Sequence, residues 1–226
     1  MKEVIDFLKD LQCNNNREWF VANKPRYVAA ANRFNAIVDE LIQEIARYDC
    51  TLTGLTAKDC TYRIYRDVRF SADKSPYKTH MGAFICRGGK KSGYSGYYFH
   101  IGTGGEGYPH AHMLAAGDYC FDPKVLQVLR EDIVGGGGDF DAIVKEAHPT
   151  FELDREGALK RNPKGFEQET LYTDYLRLKA FCLVHTPSDE FICADDLPQR
   201  AAALFQLAQP FLNYINRAIE YVKDEM

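Results

Sequence analysis

Apolar positions recur first at helical spacing, then at the spacing of strands, then at helical spacing again. Val4, Phe7, Leu8 and Leu11 mark an amphipathic helix at the start of the chain. The Asn14 to Asn16 run reads as a turn, with Asn16 the N-cap of a second short helix from Arg17. After Pro25, the residues Phe34, Ile37, Val38, Leu41, Ile42 and Ile45 trace one stripe of a long helix that needs a partner surface. The period then shortens to two over Thr61 to Phe70, Met81 to Arg87 and Gly96 to Ile101, and the Gly88 to Gly93 turn between the last two predicts a hairpin. A Gly-rich connection from Gly102 to Gly107 leads to a fourth strand near His112 to Ala116. Asp122 and Pro123 supply an N-cap and first-turn proline for a helix predicted to end at the Gly135 to Gly138 run, read as a flexible link. A short helix at Phe140 to Ala147, an irregular Pro149 to Pro163 segment and a strand at Phe181 to Val184 follow. A terminal helix carries Leu204, Ala208, Phe211, Ile215, Ile219 and Val222 on one side. The pattern predicts a single α+β domain, with a mainly antiparallel sheet flanked by N-terminal and C-terminal helices.

The 226 residues, 46% of them hydrophobic, suffice for one large core. No apolar run approaches the roughly 18 residues that a bilayer span requires, and the N-terminus lacks the apolar centre of a signal peptide. Seven cysteines, an odd number without a C-x-x-C pair, fit reduced thiols in the cytoplasm better than a disulfide framework or a zinc knuckle. The net charge of −4 hides an asymmetry: residues 58 to 91 carry +6 and the remainder −10. Such a focus of positive charge attracts a small anion better than a long duplex.

Within that region, RIYRDVRFSADKSPYKTH from Arg63 to His80 is the densest chemistry in the chain. Strand alternation would set Tyr62, Ile64, Arg66, Val68 and Phe70 on one face, and Arg63, Tyr65, Asp67 and Arg69 on the other. Arg66 then lies in an apolar row, where its permanent charge requires a carboxylate, a phosphate or carbonyls. The functional reading makes Arg63, Arg66, Arg69, Lys74 and Lys78 the binding set for a phosphate- or carboxylate-bearing ligand, with Lys164 of the basic 160–166 turn as an opposite wall. His80, Tyr77 and Asp67 are the candidates for moving a proton, His80 because it titrates near neutral pH. The structural alternative is an internal network in which Asp67, Asp73 or a distant glutamate neutralises the arginines.

The same run resembles R-x-x-R-D-x-R-F-x-x-x-K-x-x-Y, the motif of the bacterial domain of unknown function 2461 family, with Arg63, Arg66, Asp67, Arg69, Phe70, Lys74 and Tyr77 in place. The opening FLKDLQCNNNREWF and the later NPKGF and LRLKAF segments are similar to that family as well. The resemblance implies a soluble bacterial protein of one domain and of similar length. It implies no reaction and no cofactor.

Other residues extend the list of candidates. His100, His110 and His112 are the histidines that a metal reading would use, although their spacing fits no closed motif and no metal is expected. The Gly102 to Gly107 run has the composition of a phosphate loop but not its G-K-[ST] ending, so it reads as a turn or lid. Tyr65, Tyr77, Tyr94, Tyr97 and Tyr98 would serve as stacking platforms if the partner were a nucleic acid, a reading that the acidic remainder opposes. No membrane partner is expected.

Overall fold

A computed structural model describes residues 1–225. The chain begins with α1 (Lys2–Cys13), α2 (Arg17–Ala22) and α3 (Lys24–Ala46), then a 3-10 turn and the short α4 (Ala57–Cys60). Strands β1 (Met81–Ile85), β2 (Gly96–Ile101) and β3 (Met113–Asp118) lead into α5 (Pro123–Ala147). The remainder is β4 (Glu152–Leu153), α6 (Thr173–Leu176), β5 (Phe181–His185), α7 (Asp189–Ile192) and α8 (Leu197–Asp224). The five strands form one antiparallel sheet in the order β1-β2-β3-β5-β4.

Several elements form where their sequence signals lie. Asn16 accepts a hydrogen bond from the Trp19 amide at 2.9 Å and caps α2, and Asp122 does the same for α5 through the Lys124 amide at 2.8 Å. The period-two pattern of the sheet separates two faces. Ala83, Ile85, Tyr97, Phe99, Ile101, Leu114, Ala116 and Leu183 are buried against the helices. Phe34 of α3 stacks on Phe99 at 5.7 Å, Phe205 of α8 meets Tyr97 at 5.2 Å, and Phe140 of α5 meets Phe181 at 5.7 Å. The opposite face carries Gly82, Phe84, Tyr98, His100 and Ala115. Burying an aromatic side chain is worth about 1.5–3 kcal/mol, so these three contacts fix all the long helices except α1 to one side of the sheet.

One expectation is corrected. The Thr61 to Phe70 segment is not a regular strand: Thr61 bridges Ala83 and Tyr65 bridges Tyr77, and between them the backbone folds into an irregular hairpin. Alternation failed there because only Ile64 reaches the core, while Phe70 at the tip is 97% exposed. The tetraglycine does interrupt the helix: Gly136 (φ −156°, ψ 38°) is non-helical, and α5 is two helices joined across a kink there, the second containing the segment read as a separate helix at Phe140 to Ala147. Gly137 is required there by contact, since a Cβ would lie 2.3 Å from Cδ2 of Tyr172. The two-residue β4 and the short α6 and α7 carry too few residues for a periodic signal.

Candidate functional site

The basic segment hangs from the β1 edge of the sheet and is pinned to the α1–α2 corner. The Tyr62 amide donates to the Gly82 carbonyl at 3.0 Å, and the Lys78 amide donates to the Ile64 carbonyl at 2.7 Å. Asn15 completes the anchor by accepting from the Tyr77 amide at 3.1 Å and donating to the Tyr77 carbonyl at 2.9 Å. Tyr77 itself is buried and stacks on Phe20 at 3.9 Å.

The hairpin tip neutralises some of its own charge. Arg66 Nη1 pairs with Asp73 and donates to the Ser75 carbonyl at 3.1 Å, while Nη2 donates to Ser71 Oγ at 3.2 Å. Hydrogen bonds from Ser75, then the Arg66 guanidinium, pull the Asp73 carboxyl down to about 2. Arg69 grips Asp67 through Nε at 2.9 Å and Nη2 at 2.6 Å, holding that carboxyl below its usual range, and both side chains face solvent. Lys74 donates to the Val68 carbonyl at 3.0 Å. The anion that meets Arg66 is therefore Asp73, seven residues along the same hairpin.

Arg63 and Lys78 are left over. Neither makes an ion pair or a side-chain hydrogen bond among the described residues. Lys78 lies over the Tyr62 ring at 5.4 Å, and its pKa falls because it is half-buried and because Arg63 is close by.

Beside them, His80 stacks on His100 at 4.6 Å, with the Tyr108 ring 5.5 Å and 5.4 Å from the two. His100 is fully buried and engaged at both nitrogens: Tyr98 OH lies 3.0 Å from Nδ1, and the Pro109 carbonyl lies 3.0 Å from Nε2. The carbonyl can only accept, so Nε2 carries the proton and Tyr98 donates to Nδ1. His80 has no hydrogen-bond partner among the described residues, and its Nδ1 is enclosed. Burial first, then His100, Lys78, His110 and Arg66, push its pKa down to about 3, and burial pushes His100 down to about 4. Both imidazoles are neutral at pH 7.

The histidines considered for metal do not converge. His112 accepts from the Gly102 amide at 3.2 Å through Nδ1 and faces Asp189 at 3.0 Å through Nε2, and His110 Nδ1 lies 3.4 Å from Thr103 Oγ1. No group of three or more metal-ligating side chains occurs among the described residues. The Gly-rich connection is a closed turn, with the Gly104 and Gly105 amides donating to the His110 carbonyl at 3.0 and 3.3 Å. Lys164 is placed apart from the other cations. Its turn is tied to Arg177, ahead of β5, through Asn162 at 2.9 Å and Leu159 at 2.8 Å, whereas Arg63 and Lys78 adjoin β1 at the other edge of the sheet. The tyrosines do not form one platform: Tyr97 is in the core, Tyr94 lies under Lys223 at 3.5 Å, and Tyr65 and Tyr77 pack on each other at 5.4 Å and toward Phe20.

Sequence reasoning missed the residues that face this cluster from α3. Tyr27, Ala31, Phe34 and Asn35 form one row of that helix and, with Thr61, Tyr62, Arg63, Ile64, His80 and Met81, line a hollow of about 200 Å³. The four-residue spacing of Tyr27, Ala31 and Asn35 was visible in the sequence, but an alanine and an asparagine give an apolar pattern no signal.

Fold and site together define an α+β protein in which helices cover one face of an antiparallel sheet, and an unneutralised basic pair sits at the sheet edge beside a neutral histidine. The chain belongs to the family described as "Conserved hypothetical protein (DUF2461)", whose model matches residues 3–214. No curated protein and no solved structure matches the chain. Among the described residues, no helix is long and apolar enough to cross a membrane.

Proposed function

We propose that the protein binds a small ligand bearing a carboxylate or phosphate, held by Arg63 and Lys78 beside His80. The observation that carries this reading is Lys78, a half-buried cation next to a second cation and without a carboxylate partner. Such a pair raises the energy of the empty site, and an incoming anion relieves it. His80, neutral at pH 7, supplies a hydrogen-bond acceptor or donor for the ligand, while a pKa held down to about 3 makes it a poor proton acceptor, against the near-neutral titration expected of it from sequence. Arg66, Arg69 and Lys74 act in this reading as braces that hold the hairpin rather than as ligand contacts. The unpaired cysteines, Cys60 and Cys86 buried among them, support a reducing compartment such as the cytoplasm.

Isothermal titration of inorganic phosphate and of simple carboxylates into wild type and Arg63→Gln tests the proposal. Binding by wild type that weakens about tenfold in the variant, roughly 1.4 kcal/mol, is the expected result. Equal binding by both proteins would count against it. A steep loss of affinity for single-stranded oligonucleotides with salt, unmatched by any small-anion binding, would favour the nucleic-acid reading instead.

A further inference from the structure

The hollow beside Arg63 restricts what the ligand can be. Its wall from α3 is the row Tyr27, Ala31, Phe34 and Asn35, and its other wall is Thr61 to Ile64 with His80 and Met81. Ala31 is the smallest side chain in the row, so the space exists because a methyl group stands between Tyr27 and Asn35. The apolar lining is Ala31, Phe34, Ile64 and Met81, with the rings of Tyr27 and Tyr62. No carboxylate contributes to it, and Arg63 is its one permanent charge. The polar groups left are Asn35, Thr61 and the neutral His80, none with a side-chain hydrogen bond among the described residues.

Size then decides between ligand classes. A volume of about 200 Å³ is below the roughly 300–1,000 Å³ of clefts that hold drug-sized molecules. A nucleotide is too large to be enclosed. A body the size of one aromatic ring fits, and the tyrosine and phenylalanine rings match it chemically. The planar fork of Arg63 then meets an acid group at the mouth, with Lys78 close enough to add its charge. We infer that the hollow between α3 and the Thr61–Ile64 segment binds a compact aromatic acid, its ring beside Ala31 and its carboxylate or phosphate on Arg63. This assignment rests on the anion-binding reading above and narrows it to one class of ligand.

The test uses four probes, acetate, inorganic phosphate, benzoate and phenyl phosphate, titrated calorimetrically into wild type, Ala31→Leu and Arg63→Gln. The inference expects at least one aromatic acid to bind wild type ten or more times more tightly than its ringless counterpart. Benzoate against phenyl phosphate then tells carboxylate from phosphate as the preferred head group. Ala31→Leu, which fills the hollow, should erase the advantage of the ring while leaving the weak binding of acetate or phosphate intact. Arg63→Gln should weaken all binders. An advantage of the ring that survives Ala31→Leu, or no advantage in wild type, overturns the aromatic-acid assignment and leaves anion binding standing. Binding of any probe that is unchanged in Arg63→Gln overturns both. Folding of Ala31→Leu is checked by its unfolding midpoint, and if that falls, Asn35→Leu fills the same space from the partly exposed flank of α3.

Discussion

Acidification should destabilise this protein well before its carboxylates are protonated, because His80 and His100 are held neutral. An unfolded histidine titrates near 6.5, whereas His80 waits until about pH 3 and His100 until about pH 4. Below pH 6.5 the unfolded chain therefore takes up protons that the folded chain refuses, and stability falls as pH falls. Each such group removes about 1.4 kcal/mol per pH unit while only the unfolded state is charged. From pH 6.5 to pH 5 the pair accounts for roughly 4 kcal/mol, a large share of the about 5–15 kcal/mol that holds a domain together. His112, lowered by burial but countered by Asp189, adds to the same slope, and Asp118, raised by burial, opposes it weakly over this range. Asp59, Asp67 and Asp73 are held low and lose their share only in stronger acid. Urea unfolding at pH 7, 6 and 5, on wild type and His80→Gln, measures the effect. The variant should lose about 1.4 kcal/mol per unit of the wild-type slope below pH 6.5. A wild-type stability that is flat between pH 7 and 5, or identical slopes in the two proteins, would refute the claim that these imidazoles are buried and neutral.

Three further outcomes follow from the packing. Gly135→Ala, with nothing within 4 Å of the new Cβ, should stabilise α5 by up to about 1 kcal/mol; Gly137→Ala, which meets Tyr172, should destabilise by about 1–3 kcal/mol, both read by thermal unfolding. Tyr98→Phe removes the donor to His100 Nδ1 and should lower stability by about 1–3 kcal/mol in urea unfolding. Arg66→Ala should make the hairpin tip cleavable by trypsin at Arg69 and Lys74 at protein concentrations where wild type resists, whereas Arg69→Ala should leave the unfolding midpoint unchanged.

Much of the fold could be read directly because packing and local preference agree in it. The α3 stripe from Phe34 to Ile45, the Met81 to Ile101 hairpin and the Asp122-Pro123 helix start each state in sequence what the core demands. The alternation over Thr61 to Phe70 misled because only Ile64 of it reaches the core, whereas the tetraglycine did mark the kink in α5 at Gly136, beside the Gly137 that Tyr172 crowds. The charge cluster picked out a segment that folds as one hairpin, and His80, singled out as its companion, lies beside Lys78. Which cations remain available depends on Asp73 meeting Arg66 and Asp67 meeting Arg69, a matter of hairpin geometry. The α3 wall was invisible because its distinguishing residue, Ala31, matters through the space that it leaves.

The central claim is that Lys78 is kept, at some expense to the fold, for an anion. One experiment reads both halves: thermal unfolding of wild type and Lys78→Met, with and without phosphate or benzoate at ten times the wild-type Kd. Wild type should gain about 1.4 kcal/mol from the ligand. The account predicts that Lys78→Met unfolds at a higher temperature than wild type without ligand, and that ligand no longer raises its midpoint. A variant that is less stable than wild type yet shifts as far with ligand would contradict it.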